Sequence, residues 1–128
     1  MDGHRVWAEI DLDAIARNLA LVRSRVHPLT RVLAVLKADA YGHGAIRVAR
    51  RLVAEGVDMI GVGDSSEALE LRRAGIVETP ILILGAIVPG EVPAIVDHDV
   101  SVCVHSHDRA RALDEEARRR GARIRVHL

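Results

Sequence analysis

Apolar and polar positions along the chain follow two rhythms, and the switches between them divide it into strands and helices. Trp7 to Leu12 reads Trp-Ala-Glu-Ile-Asp-Leu, an alternation of period two that predicts a half-buried strand. Leu12, Ile15, Leu19, Val22 and Val26 then recur three and four residues apart, which predicts a helix that Asp11 or Asp13 can cap and Pro28 ends. Beyond it, short apolar runs alternate with amphipathic stretches. Strands are predicted near 32–36, 58–62, 81–85, 100–104 and 123–128. Helices are predicted over 44–55, from Asp64 to Gly75, briefly after Pro89, and from Ser106 to Arg120 with Gly121 at its end. Glu67, three residues after Asp64, makes a capping-box-like pair with it.

Strands alternating with helices predict an α/β fold with a parallel sheet and right-handed crossovers. Two architectures fit the rhythm. One is a partial (β/α)8 TIM-type barrel, whose full form takes ~250 residues and which would be about half present here. The alternative is a five-stranded doubly wound sheet, complete at this length. Short Gly- and Pro-marked connections give no internal linker, so residues 1–128 read as a single domain.

Composition narrows the function classes. Lys plus Arg and Asp plus Glu balance at 18 each, and Trp7 and Tyr41 are the only aromatic residues, so neither a basic surface nor a stacking platform for nucleic acid exists. Met1 to Arg5 is polar and leads into no long apolar run, which predicts neither signal peptide nor membrane span and hence a cytoplasmic protein. Cys103 lies within the apolar run Val100 to Val104 and reads as a small buried hydrophobe.

The candidate chemistry lies in Leu33 to Gly44. An apolar strand there ends in Lys37, and the chain turns through Gly42 and Gly44 into a helix with the apolar face Ala45, Val48, Ala49, Leu52 and Val53. A lysine at the C-terminal end of a parallel strand points to where ligands of such sheets collect. If the strand is buried on both faces, desolvation lowers the lysine's pKa, and a neutral amine condenses with carbonyls.

Ala34-Val35-Leu36-Lys37-Ala38-Asp39-Ala40-Tyr41-Gly42-His43-Gly44 resembles the cofactor-attachment segment of bacterial alanine racemases. The resemblance extends, in the same order, to Trp7 through Ile15, Glu67-Ala68 with Leu71-Arg72, Pro80 through Gly85, and Val126-His127-Leu128. It implies the partial barrel, with residues 1–12 belonging to a strand of a second, mostly β domain and with further chain beyond Leu128. It implies that Lys37 holds pyridoxal 5'-phosphate as a Schiff base and moves a proton, and that Tyr41 donates a hydrogen bond to the cofactor phosphate. It also implies an enzyme interconverting L- and D-alanine for peptidoglycan, working as a homodimer in which a partner tyrosine is the second acid–base group. Residues 1–128 alone are then expected to be inactive.

Other residues read as structural. Asp39 and His43 suit hydrogen bonds that shape the turn. His105 and His107 form a His-x-His without a third ligand at metal-site spacing. The rivals are a related pyridoxal-phosphate barrel, either an amino-acid decarboxylase or a cofactor-homeostasis protein, and a non-enzymatic doubly wound module.

Overall fold

A computed structural model describes residues 6–128. The reading of Met1 to Arg5 as a polar start falls outside the described residues. Helix α1, Leu12–Arg25, begins where Asp11 accepts the N–H groups of Asp13 at 2.8 Å and Ala14 at 3.0 Å, and it buries Ala16 and Leu19. The strand expected at Trp7 to Leu12 is absent: residues 6–11 carry no ladder, and Val6 and Trp7 are exposed. Alternation makes a strand only beside a partner, and among the described residues none pairs with this segment.

Five parallel strands follow, β1 Leu33–Val35, β2 Met59–Val62, β3 Ile81–Ile83, β4 Ser101–Cys103 and β5 Val126–His127, in the order β1-β2-β3-β4-β5. Between them lie α2 Lys37–Gly42, α3 Ala45–Ala54, α4 Ser65–Arg73, a 3-10 turn over Pro89–Glu91, α5 Val92–Asp97 and α6 His107–Arg119. A doubly wound sheet must reverse its strand order at a switch point. Here the order is sequential throughout, and right-handed crossovers then carry every helix to one side, as in a barrel wall. The partial barrel stands and the doubly wound alternative falls.

The register sorts the strand residues by face. Ala34, Ile60 and Ile81 align across the sheet, as do Val62, Ile83 and Val102. These rows face the helices and join the core with Val48, Ala49, Leu52, Ala68, Leu71, Ile95 and Leu113. The alternate row, Val35, Gly61, Leu82 and Ser101, faces the other way, into what would be the barrel lumen. One expectation needs correcting. β1 is not buried on both faces, because it is an edge strand, and all three of its residues are half-buried.

Two arginines lock the N-terminal ends of the strands. Arg72 donates to the carbonyls of His98 (3.0 Å), Ile76 (2.7 Å), Thr79 (2.9 Å) and Asp99 (3.0 Å), joining the entries to β3 and β4. Arg23 donates to the carbonyl of Glu55 at 2.9 Å and pairs with Asp58, which accepts the Val32 N–H at 2.7 Å. That backbone hydrogen bond, with Arg23 beside it, holds the Asp58 carboxyl below the usual carboxylate range. No described helix is long and apolar enough to cross a membrane.

Candidate active site

The opposite, C-terminal ends of the strands carry the candidate chemistry. After Leu36, which is buried on the helix side, the backbone turns into α2. This helix is left-handed: Ala38, Asp39, Ala40 and Tyr41 have φ of 52°, 53°, 54° and 56° with ψ of 54°, 45°, 46° and 37°. L-residues avoid this conformation by ~1–2 kcal/mol each, so four in succession store roughly 4–8 kcal/mol that the surroundings must offset.

Those surroundings are a set of short hydrogen bonds. The Asp39 Oδ1 accepts the Ala45 N–H at 2.6 Å, joining the left-handed turn to the start of α3. His43 Nδ1 donates to the carbonyls of Ala40 at 2.8 Å and Tyr41 at 3.1 Å, which requires the Nδ1–H tautomer. Both residues therefore shape the turn, as their positions suggested. The Gly44 N–H closes onto the Asp39 carbonyl at 3.0 Å, and Gly44 itself has a φ of 88°.

The hydrogen bonds of Glu67 were not foreseen. Asp64 caps α4 by accepting the Glu67 N–H at 3.0 Å, as a capping box requires, and the Ser66 hydroxyl and that N–H hold its carboxyl below the usual range. The Glu67 carboxylate does not return to Asp64. Its Oε1 accepts the Ala38 N–H at 2.6 Å and its Oε2 the Gly63 N–H at 2.7 Å. It thus bridges the residue after Lys37 to the end of β2. Glycine is required at Gly85, where a Cβ would lie 2.3 Å from the Gly63 carbonyl oxygen; one on Gly63 would lie 3.2 Å from Glu67 Oε2 and in ordinary contact, 3.5 Å, with Lys37 Cβ. Sequence offered a signal only for the glycines, since Gly61, Gly63 and Gly85 sit in or after apolar runs that otherwise lack small residues.

Lys37 is exposed at this mouth, next to Gly63, and among the described residues its ammonium makes no hydrogen bond or ion pair. The burial expected for Lys37 from the apolar strand is therefore absent. Tyr41, four residues on, is 59% exposed, so it is not packing filler for the loop. A primary amine and a phenol thus sit on one left-handed turn; this donor set suits a carbonyl-bearing, phosphorylated cofactor. No group of three or more His, Cys, Asp or Glu among the described residues is placed to hold a metal. Cys103 is half-buried in β4, and His105 and His107 are exposed beyond it.

Known proteins share both sequence and architecture. The family model "Alanine racemase, N-terminal domain" matches residues 10–128. An alanine racemase of Methylacidiphilum infernorum is 41% identical over 124 residues, covering 97% of this chain and 32% of its own. The alanine racemase structure from Clostridium difficile 630 superposes with a TM-score of 0.93 at 34% identity, over 100% of this chain and 33% of that one. A histidine racemase from Leuconostoc mesenteroides superposes at 0.81 with 26% identity, over 91% of this chain and 31% of its own. This chain spans about a third of the length of the relatives it matches. With sheet order, lysine-bearing segment and match over residues 10–128 in agreement, the chain belongs to the alanine racemase N-terminal domain family.

Proposed function

We propose that this chain is the lysine-bearing part of a pyridoxal-phosphate-dependent alanine racemase that interconverts L- and D-alanine. The observation that carries the reading is Lys37 itself, exposed at the strand end with its Cβ beside Gly63 and its ammonium without a hydrogen bond or ion pair among the described residues. Lys37 would hold the cofactor covalently, and the exposed Tyr41 hydroxyl would donate to its phosphate. When bound, pyridoxal phosphate accepts the electron pair left on an amino acid's Cα as its proton departs. The amine of Lys37 then serves as the base that moves a proton at one face of that carbon.

Inversion needs a second acid–base group on the opposite face. In this reading Tyr41, the single tyrosine of these 128 residues, serves the cofactor phosphate, and His43 Nδ1 is committed to two backbone carbonyls, so neither is free for that role. In this reading the second group comes from the partner subunit of a homodimer. Residues 6–11 are then the start of a second β domain, which accounts for an alternating segment without a ladder. The same reading places the enzyme in the cytoplasm, making D-alanine for the cell wall. Likeness to a histidine racemase supports the broader class, amino-acid racemase, and makes substrate choice the point to test.

Borohydride reduction of the full-length enzyme with pyridoxal phosphate, followed by peptide mass analysis, should place a pyridoxyl adduct on Lys37, and Lys37→Ala should lose it. Racemisation assays with alanine, serine and histidine should favour alanine. An adduct on a different lysine, or decarboxylation in place of racemisation, would refute the reading.

A further inference from the structure

We propose that Glu67 is a positioning residue for Lys37, an assignment that rests on the reading of Lys37 as the cofactor-binding lysine. The N–H of Ala38 belongs to the peptide directly after Lys37, so its direction fixes the backbone rotation that aims the lysine's Cα–Cβ bond. Glu67 Oε1 holds that N–H at 2.6 Å, and Oε2 holds the Gly63 N–H at 2.7 Å on the neighbouring strand end. Hydrogen bonds to an ionised carboxylate are the strong kind, and two from donors that follow neighbouring strands hold those strand ends in fixed relation. Gly63 also lies beside Lys37, since a Cβ built on it would stand 3.5 Å from Lys37 Cβ. One carboxylate therefore ties the peptide after the lysine to the neighbouring strand end that the lysine packs beside.

The fold of α4 does not need this carboxylate. Asp64 already caps that helix, and the two donors that Glu67 engages both lie outside it. What depends on Glu67 is the left-handed turn, of which Ala38 is the first strained residue. Ala38 is exposed, so water can replace the lost partner, and the turn can then relax toward ordinary φ. That relaxation would swing Lys37 away from its direction along the lumen while strands and helices stay in place.

The test uses the full-length enzyme and reads cofactor binding instead of turnover. Glu67→Gln keeps size and shape but sets an amide N–H against one of the two backbone donors. It should weaken pyridoxal phosphate retention ~10-fold, the loss of one charge-assisted hydrogen bond, and should diminish the visible circular dichroism per bound cofactor well below the unfolding midpoint. Asp64→Ala is the structural control: it should lower the unfolding midpoint with retention and dichroism unchanged. Gly63→Ala guards against a misfolded Gln variant, because its Cβ would press Glu67 Oε2 at 3.2 Å and should give a smaller loss in the same direction. If Glu67→Gln and Gly63→Ala retain cofactor and dichroism as the parent does, or if Asp64→Ala matches Glu67→Gln, the positioning role is overturned. A parent enzyme without an adduct on Lys37 would instead overturn the cofactor reading, and this proposal with it.

Discussion

Gly85→Ala and Gly61→Ala add the same methyl group to the same sheet, and the structure predicts different costs. At Gly85 the new Cβ would lie 2.3 Å from the Gly63 carbonyl oxygen, a backbone atom that cannot turn aside. Restoring an ordinary contact of ~3.5 Å means parting the ends of β2 and β3 by roughly 1 Å. The Gly85 N–H to Gly63 carbonyl hydrogen bond, now 3.2 Å, would then break. Overpacking costs ~1–3 kcal/mol and the hydrogen bond about 1 kcal/mol, against a gain of ~0.4–1 kcal/mol from a stiffer unfolded chain. The net is a loss of about 1–3.5 kcal/mol. At Gly61 the Cβ would meet only Leu33 Cδ2 at 2.8 Å and Leu84 Cδ1 at 3.0 Å, the far ends of flexible side chains. Their adjustment costs ~0.5–1.5 kcal/mol, so the unfolded-state gain leaves the variant near neutral. Urea unfolding at unchanged m-value reads the difference. Equal midpoints for the two variants, or a lower one for Gly61→Ala, would refute the claim that a fixed backbone approach at the mouth demands glycine at Gly85.

Three further outcomes follow from the same geometry. Tyr41→Phe should weaken cofactor retention by ~1.5–3 kcal/mol with an unchanged unfolding midpoint, since only an exposed hydroxyl is lost; equal affinity in equilibrium dialysis would contradict the phosphate role. Arg72→Leu should destabilise by about 3 kcal/mol or more because four carbonyls lose their donor, and Arg72→Lys should recover only part of it; chemical denaturation reads both. Residues 1–128 expressed alone should self-associate and show no racemisation, because β1 and β5 are open edges beside apolar grooves and a single base is present. A compact two-state monomer in sedimentation and calorimetry would overturn the expectation about the edges, and D-alanine production the one about the base.

Much of this was legible in the sequence where one physical signal dominated. The face of α3 could be read from period alone, and Ala45, Val48, Ala49 and Leu52 are indeed its buried residues. The helix starts at Asp64 and Ser106 were legible, and Asp11, one of two candidates with Asp13, proves to be the cap of α1, because short side-chain oxygens favour the ends of helices. The five sheet strands fall within their predicted apolar runs, though each is shorter than its run, since a ladder extends only where both neighbours stay in register; the sixth, at Trp7 to Leu12, found no partner. Other features had no local signal. Ala-Asp-Ala-Tyr contains no glycine, so nothing in its composition announces four left-handed residues; tertiary hydrogen bonds from Glu67 and Asp39 impose them. Glu67 looked like half of a capping box because the sequence names the donor nearby and not the one across the sheet. The burial assumed for Lys37 failed because sequence gives a strand's apolarity but not its place at the sheet edge.

The sequential sheet order also decides what Lys37 can be used for. Because every crossover passes on one side, alternate residues of each strand divide cleanly into a helix-facing set, Ile60, Val62, Ile81, Ile83 and Val102, and a lumen-facing set that includes Gly61 and Leu82. Leu36 is 5% exposed and belongs to the first set, so Lys37, one position on, turns toward the second, beside Gly63. A one-residue slip in β1 would exchange them, driving the ammonium under the helices, where an unpaired charge is heavily penalised. The left-handed turn makes that parity count. A right-handed helix begun at Lys37 would turn successive side chains the opposite way about its axis. The left-handed turn instead buries Ala40 and leaves Tyr41 at the mouth, four residues after the lysine. Strand parity thus aims the amine and helix hand delivers the phenol, and the Glu67 carboxylate, bonded to the peptide between Lys37 and Ala38, stands where one device passes into the other.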